Sequence, residues 1–253
     1  MSPLTIGCIA FGCTFAAALI GMALHATLPD HHLNEDSKDV VKLVMGLVGT
    51  LSALLLGLLI ASANSSFESQ NSEVQSVAAD IVTLDRILAH FGPEANEARN
   101  LFRRAVAAAH ARIWSTDGVQ LGDMDPARVR METDQVYDAI RSLPAKTDAQ
   151  HFDQTRALQL ATGLIQTRTL MFEQTGSSIS WPFLTVLVFW LVVLFLGFGL
   201  LARFNTTITA ALLVGALSVS GAIFLLLELS EPYRGLIQIS DAPLRYALAQ
   251  INH

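Results

Sequence analysis

The sequence predicts an all-α membrane protein, with four transmembrane helices and a cytoplasmic helical domain inserted between the second and the third. Three observations carry this. Of the 253 residues, 52% are hydrophobic and 15% charged, with a mean hydropathy of +0.45; an average soluble protein is about 25% charged. Residues 1–29, 43–67, 174–202 and 204–227 contain no Asp, Glu, Lys or Arg, in runs of 29, 25, 29 and 24. A hydrocarbon core is crossed by about 20 helical residues. Residues 68–173, in contrast, hold 26 of the 38 charges, 11 basic and 15 acidic. Such a chain is neither an ordinary soluble enzyme nor a disordered segment, which would be polar and charge-rich.

Four spans put the N-terminus, the charged domain and the C-terminal tail on one side. That side carries 13 basic residues, including Arg234 and Arg245; the other has Lys38 and Arg203, with Lys42 at the mouth of span two. The positive-inside rule therefore places the domain and both termini in the cytoplasm. The net charge of −6 argues against nucleic acid, which needs a basic surface, and against a polybasic lipid collar.

Span one covers residues 4–28. It is rich in Ala and Gly, which lets it pack close to a neighbour. Its length and the lack of a basic start distinguish it from a signal peptide. Cys8 and Cys13 both lie on it, five residues apart and pointing in different directions, so no internal disulfide is expected. An acidic outer loop follows at residues 29–39. Span two begins at residue 40, reaches the membrane edge at 63, and meets nothing that stops it. No Gly or Pro occurs between Gly57 and Gly92, so one helix of about 50 residues leaves the membrane and continues through the domain. Gly92-Pro93 ends it, glycine suiting the position after a helix and proline the first turn of the next.

Helices are then expected over residues 93–114, 126–143 and 148–174. Asp125 and Asp148 are read as caps, and Phe152, Leu158, Ile165 and Phe172 as apolar positions of the last. Residues 115–125 form a loop, and residues 176–180 a hinge ending at the interfacial Trp181. Span three (183–202) is rich in Phe. Arg203 and Asn205 make a short outer turn. Span four (208–227) offers Gly215, Ser218 and Gly221 as small contact positions. The tail turns at Pro232 and ends in an amphipathic helix. The domains are thus residues 1–63, 64–180, 181–227 and 228–253.

The long helix carries three stripes at about 100° per residue. Val74, Val77, Ile81, Leu84 and Leu88 form a seam with steps of three and four, as in coiled coils. Ser65, Ser69, Ser72, Ser76 and Thr83 lie roughly opposite. Between them run Gly46, Thr50, Ala53, Gly57 and Ala61, then Asn64, Asn71 and Gln75. Two readings of the third stripe stay open. Small residues let helices approach closely; uncharged small and polar residues also suit the wall of a water-filled pathway on the axis of an oligomer.

Chemistry-bearing constellations are scarce. No GxSxG, HExxH, CxxC, phosphate-binding or dinucleotide-binding loop occurs, and no enzyme, cofactor or metal is expected. His31 and His32 sit in the acidic outer loop without a ligand set of defined geometry. His90 and His110 have no partner at ligand spacing. Asp85 and Arg86 are adjacent on a helix, so each must pair elsewhere. Arg103 and Arg104 read as helix surface. Glu228 and Glu231 stand where span four ends, either as interfacial anchors or as a cation or gating site.

The segments GTLSALLLGLLIASANSSF (49–67), LDRILAHFGPEANEARNLFRRAV (84–106) and LLLELSEPYRGLIQISDAPLRYAL (225–248) resemble the bacterial bestrophin-like domain family, over nearly the whole chain. The resemblance implies kinship with bestrophins, four-span pentameric anion channels whose second span lines the pore and whose cytoplasmic portion is helical. It implies a bacterial inner (plasma) membrane, a homo-oligomer, most simply a pentamer, and chloride or other inorganic ions as the permeating species. Bestrophin pores are narrowed by aromatic and aliphatic rings. Here span two has no aromatic before Phe67, and the acidic residues near the exit of span four are Glu228, Glu231 and Asp241.

The expected function is an oligomeric ion channel, anion-permeable by resemblance, within the lipid bilayer. Its pore-lining candidates are Gly46, Thr50, Ala53, Gly57, Ala61, Asn64 and Ser65, with Phe67, Glu228 and Glu231 as gating or ion-site candidates. The alternative is a non-conducting scaffold that recruits a partner through an apolar groove around Leu101, Val106 and Ile113.

Overall fold

The computed structural model describes residues 2–27, 35–114, 126–175, 181–233 and 235–252, with side chains excepted at 35–37, 126–129 and 171–175. The expectations for Asp30, His31, His32, the 115–125 loop, the Asp125 cap and the 176–180 hinge fall outside these residues. Among the described residues all regular structure is helical: α1 (Pro3–Thr27), α2 (Glu35–Phe91), a 3₁₀ turn (Pro93–Ala95), α3 (Asn96–Ile113), α4 (Pro126–Arg141), α5 (Asp148–Thr175), α6 (Trp181–Leu201), α7 (Thr206–Leu229) and α8 (Ala242–Ile251). Four of them, α1, α2, α6 and α7, are long and apolar enough to cross a membrane.

α2 is a single helix of 57 residues. It starts at Glu35, so part of the expected acidic loop is helical. Gly92 ends it at φ 121°, a backbone conformation that glycine alone adopts without strain. The expected helix at residues 93–114 opens as a 3₁₀ turn and becomes α-helical at Asn96. At the start of α5 the cap is Thr147 rather than Asp148: its Oγ1 accepts from the Gln150 N–H at 3.2 Å and its carbonyl from the His151 N–H at 3.0 Å. The Asn205 side chain accepts from the Thr207 N–H and caps α7.

The chain forms two compact units. The first comprises Met1–Phe67 and Ser178–Ile237. In it α1 packs on α6 and, less extensively, on α7. A Cβ built on Gly21 would lie 2.2 Å from the Leu196 carbonyl oxygen, and one on Gly199 2.1 Å from that of Ala18. The two backbones therefore meet through glycine, as small residues permit in membranes. Ser220 Oγ ties α7 to α1 by donating to the Gly7 carbonyl at 2.6 Å. Thr14 and Ser52 donate their hydroxyls back to carbonyls on their own helices, so neither is left unsatisfied among apolar neighbours. Gly215 packs on Phe195, whereas no atom of the protomer would meet a Cβ on Gly221 and Ser218 is exposed. Span four thus uses Gly215 and Ser220 for its internal contacts, not the expected Ser218 and Gly221.

The second unit comprises Glu68–Ser177 and Gln238–His253. Its core joins the α2 seam, where Ile81, Leu84 and Leu88 are buried, to Phe102 and Val106 of α3, Val136 and Ile140 of α4, Ala157 and Ala161 of α5, and Leu244, Ala247 and Ile251 of α8. Val74 is buried as well. Phe152 departs from the expected pattern: it is 71% exposed. Asp85 is buried, and its carboxylate accepts from Arg99 Nε at 2.7 Å, Arg99 Nη2 at 2.6 Å and Arg103 Nε at 3.2 Å. Arg103 is therefore an internal ion-pair partner and not part of a surface patch with Arg104. The Asp85 carboxylate raises the Arg99 pKa further above its ordinary value through hydrogen bonding, against the opposing effect of burial.

Candidate functional site

The candidate site is the outer surface of α2 and the turn that follows α7. A line of buried residues at helical spacing, in steps of seven, eleven and four, runs along α2: Met45, Ser52, Ala63, Gln70, then Val74, Ile81 and Leu88. This line faces the protomer's own core, since Met45 and Ala63 pack with Leu187 and Leu191 of α6 and Ile223 of α7. Val41, Val48, Leu55, Leu59 and Ile60 flank it, half-buried against the same core, and the rest of the circumference is exposed. Only 11% of the apolar stretch of α2 is buried within the protomer, against 39%, 39% and 28% for α1, α6 and α7.

Two lines share this exposed surface. Gly46, Thr50, Ala53, Gly57, Ala61 and Asn64 are all exposed and fall within about 80° of arc on the helical wheel. A Cβ on Gly46 or Gly57 would meet no atom within 4 Å. Gly46 and Gly57 thus serve no helix contact within the chain, where that role belongs to Gly21 and Gly199. The neighbouring line carries Leu43, Leu47, Leu54 and Leu58, 63–75% exposed, and continues into Ser65, Ser69, Ser72 and Ser76, also exposed. Ser65 accordingly belongs to the hydroxyl line rather than the Gly-Thr-Ala line, and Phe67 is half-buried at its flank.

The chemistry of the Gly-Thr-Ala line is neutral. Thr50 Oγ1 donates to the Gly46 carbonyl at 2.9 Å, leaving its oxygen lone pairs as the outward feature. Asn64 adds an amide, both donor and acceptor. No formal charge occurs on α2 between Lys42 and Glu68.

The two carboxylates after α7 part company. Glu228 is buried, and its Oε2 accepts from the Leu236 N–H at 2.7 Å. Glu231 is exposed. Gly235, at φ 89°, lies against the Glu228 carboxylate, and a Cβ there would come within 2.2 Å of Oε2. Glu228 is thus built into the turn. Changing Gly235 to Ala is expected to cost about 1–2 kcal/mol for the left-handed backbone alone, with the clash added, and to expose the turn to limited proteolysis. An unchanged cleavage pattern and melting temperature would contradict this role. Asp241 pairs with Arg245 at 3.2 Å and with His110 Nε2 at 3.4 Å. His110 also stacks on Trp114, with ring centroids 5.6 Å apart. This partnership joins residues 131 apart and could not be found by spacing. Among the described residues, no group of three metal-ligating side chains is gathered.

The expected apolar groove at α3 takes a different form. Val106 and Ile113 line a partly open apolar cavity in the second unit, whereas Leu101 does not line it and instead packs against the core.

No curated protein matches the chain. Among solved structures, variants of the bacterial bestrophin homologue from Klebsiella pneumoniae share its fold. One matches with a TM-score of 0.69 at 13% identity, covering 99% of this chain and 97% of its own. Another matches with a TM-score of 0.68 at 12% identity, covering 97% of each. A structure of the same homologue phased on zinc matches with a TM-score of 0.63 at 14% identity, covering 96% of each. The Bestrophin-like domain model matches residues 12–244, which take in the greater part of α1, all of α2, α6 and α7 and the turn after α7, and the chain belongs to that family.

Proposed function

We propose that the chain is the subunit of a homo-oligomeric ion channel, a pentamer, whose axis is lined by α2. The observation that carries this reading is the uncovered circumference of α2. A span with 11% of its apolar stretch buried must find lipid or a copy of itself. Lipid suits the exposed leucines. It does not select for an adjoining line of Gly, Thr, Ala and Asn, which suits a polar pathway with backbone-sized walls. Gly46, Thr50, Ala53, Gly57, Ala61 and Asn64 form that wall, with Ser65 at its flank. Phe67, just beyond the apolar stretch, is the aromatic nearest a gate, and the exposed Glu231 is better placed to meet ions than Glu228.

Anion permeability, chloride included, follows from bestrophin kinship, as does placement in a bacterial inner membrane with the helical unit on the cytoplasmic side. The neutral wall is compatible with this, since selectivity in such a pore is set by hydrogen-bond donors and electrostatic barriers. In liposomes holding the purified protein, Asn64→Trp is expected to abolish ion flux while leaving the oligomer's elution volume unchanged. Undiminished flux in that variant would remove α2 from the pathway.

A further inference from the structure

The second unit contains a partly open cavity of about 160 Å³. Five helices wall it: Ile81 comes from α2, Phe102 and Val106 from α3, Val136 from α4, Leu164 from α5 and Leu244 from α8. Apart from Thr133, Tyr137 and Arg168, every described residue that reaches it is Ala, Val, Leu, Ile, Phe or Trp. Arg168 Nη1 donates to Thr133 Oγ1 at 3.2 Å, and the Trp114 indole N–H donates to the Ile239 carbonyl at 3.1 Å.

The volume arises where side chains stop short. Ala105 and Ala109 stand one turn apart on α3, and the buried Ala161 of α5 joins them on the wall. Protein interiors hold few voids larger than a water molecule. Water does not suit this one, because each molecule wants about two to four polar partners and a hydrocarbon wall gives none. An apolar cavity of about 150 Å³ stays dry and takes up benzene. We propose that this cavity is a binding site for a small uncharged apolar molecule of one aromatic ring, a benzene or alkylbenzene.

Size, lining and access each support that occupant. One ring fills the volume and supplies the dispersion contacts that the lining residues lack across an empty void. Phe102 and Trp114 on the wall favour an aromatic ring over an aliphatic one, since rings gain from edge-to-face and offset contacts. A polar or ionised head would give up its hydration against hydrocarbon, which costs more than apolar contact returns. The opening lets a ligand enter without unfolding the unit.

The test uses the full-length protein with iodobenzene and benzene as probes. In crystals soaked with iodobenzene, the anomalous signal of iodine is expected between Phe102, Val136 and Leu164. It should vanish in Ala161→Leu, whose larger side chain occupies the void. In detergent, benzene at about ten times its dissociation constant should raise the wild-type melting temperature by roughly 3–5 °C. It should raise that of Ala161→Leu much less, which separates the cavity from probe dissolved in the micelle. Ala109→Leu is the second filling variant should Ala161→Leu not fold, and melting without probe establishes folding for each. Benzoate and benzylammonium should shift the wild type less than benzene does. Absence of iodine from the cavity, an equal benzene shift in wild type and a folded filling variant, or a larger shift with either charged probe would overturn the assignment. Iodine in the cavity with no benzene shift in solution would mean binding at soaking concentration only, and would overturn it as well.

Discussion

Replacing Asp85 with alanine is expected to destabilise the helical unit by about 3–5 kcal/mol, the range for breaking a buried pair by removing one partner. Asp85 is 4% exposed and takes three hydrogen bonds from Arg99 and Arg103. Without it two guanidinium groups of α3 face α2 with their charge uncompensated. Arg99→Lys should cost less, since a lysine keeps the charge but loses the two-pronged contact. Denaturant unfolding followed by the fluorescence of Trp114, whose indole N–H donates to the Ile239 carbonyl at 3.1 Å, would measure both. A loss below about 1 kcal/mol in the alanine variant, the scale of an exposed pair, would mean the charges are solvated after all.

The second large effect is expected at the crossing of α1 and α6. Gly21→Ala and Gly199→Ala each place a methyl group within 2.2 Å of a carbonyl oxygen on the facing helix. Backbone cannot move aside as a side chain can, so the helices must separate. The cost should lie at the upper end of the roughly 1–3 kcal/mol seen for overpacking, or beyond it. Gly12→Ala is the control, because nothing lies within 4 Å of its Cβ. Thermal unfolding in detergent should drop for the first two and hold or rise slightly for the third, since alanine favours helix over glycine. Equal melting temperatures for all three would show that the crossing tolerates separation.

The leucine line on α2 was not anticipated because every apolar residue in a span looks alike. Leu43 and Leu187 have the same hydropathy, yet one is 75% exposed and the other fully buried. In a membrane, hydrophobicity cannot tell a lipid-facing or subunit-facing position from an internal one. The same limit explains the glycines. Spacing alone puts Gly46 and Gly57 on a packing face as readily as Gly21 and Gly199; only the approach of a facing backbone separates them. In the second unit the hydrophobic period does discriminate, and the seam through Ile81, Leu84 and Leu88 is buried as its steps of three and four require.

Charge-free runs and their lengths were sufficient for four spans, because a bilayer tolerates little else over about 20 residues. The uninterrupted α2 was equally legible, since only glycine and proline break a helix cheaply and none occurs between Gly57 and Gly92. Long-range polar partners were not. Asp85 had to pair with something off its own helix, but the choice of Arg99 and Arg103 depends on α3 folding back along α2. The His110–Asp241 contact depends on α8 docking beside α3. The cavity beside Arg168 exists because five helices from separate stretches of chain leave a gap between them. Periodicity describes one helix at a time; a gap, a backbone crossing or a distant ion pair is a property of several.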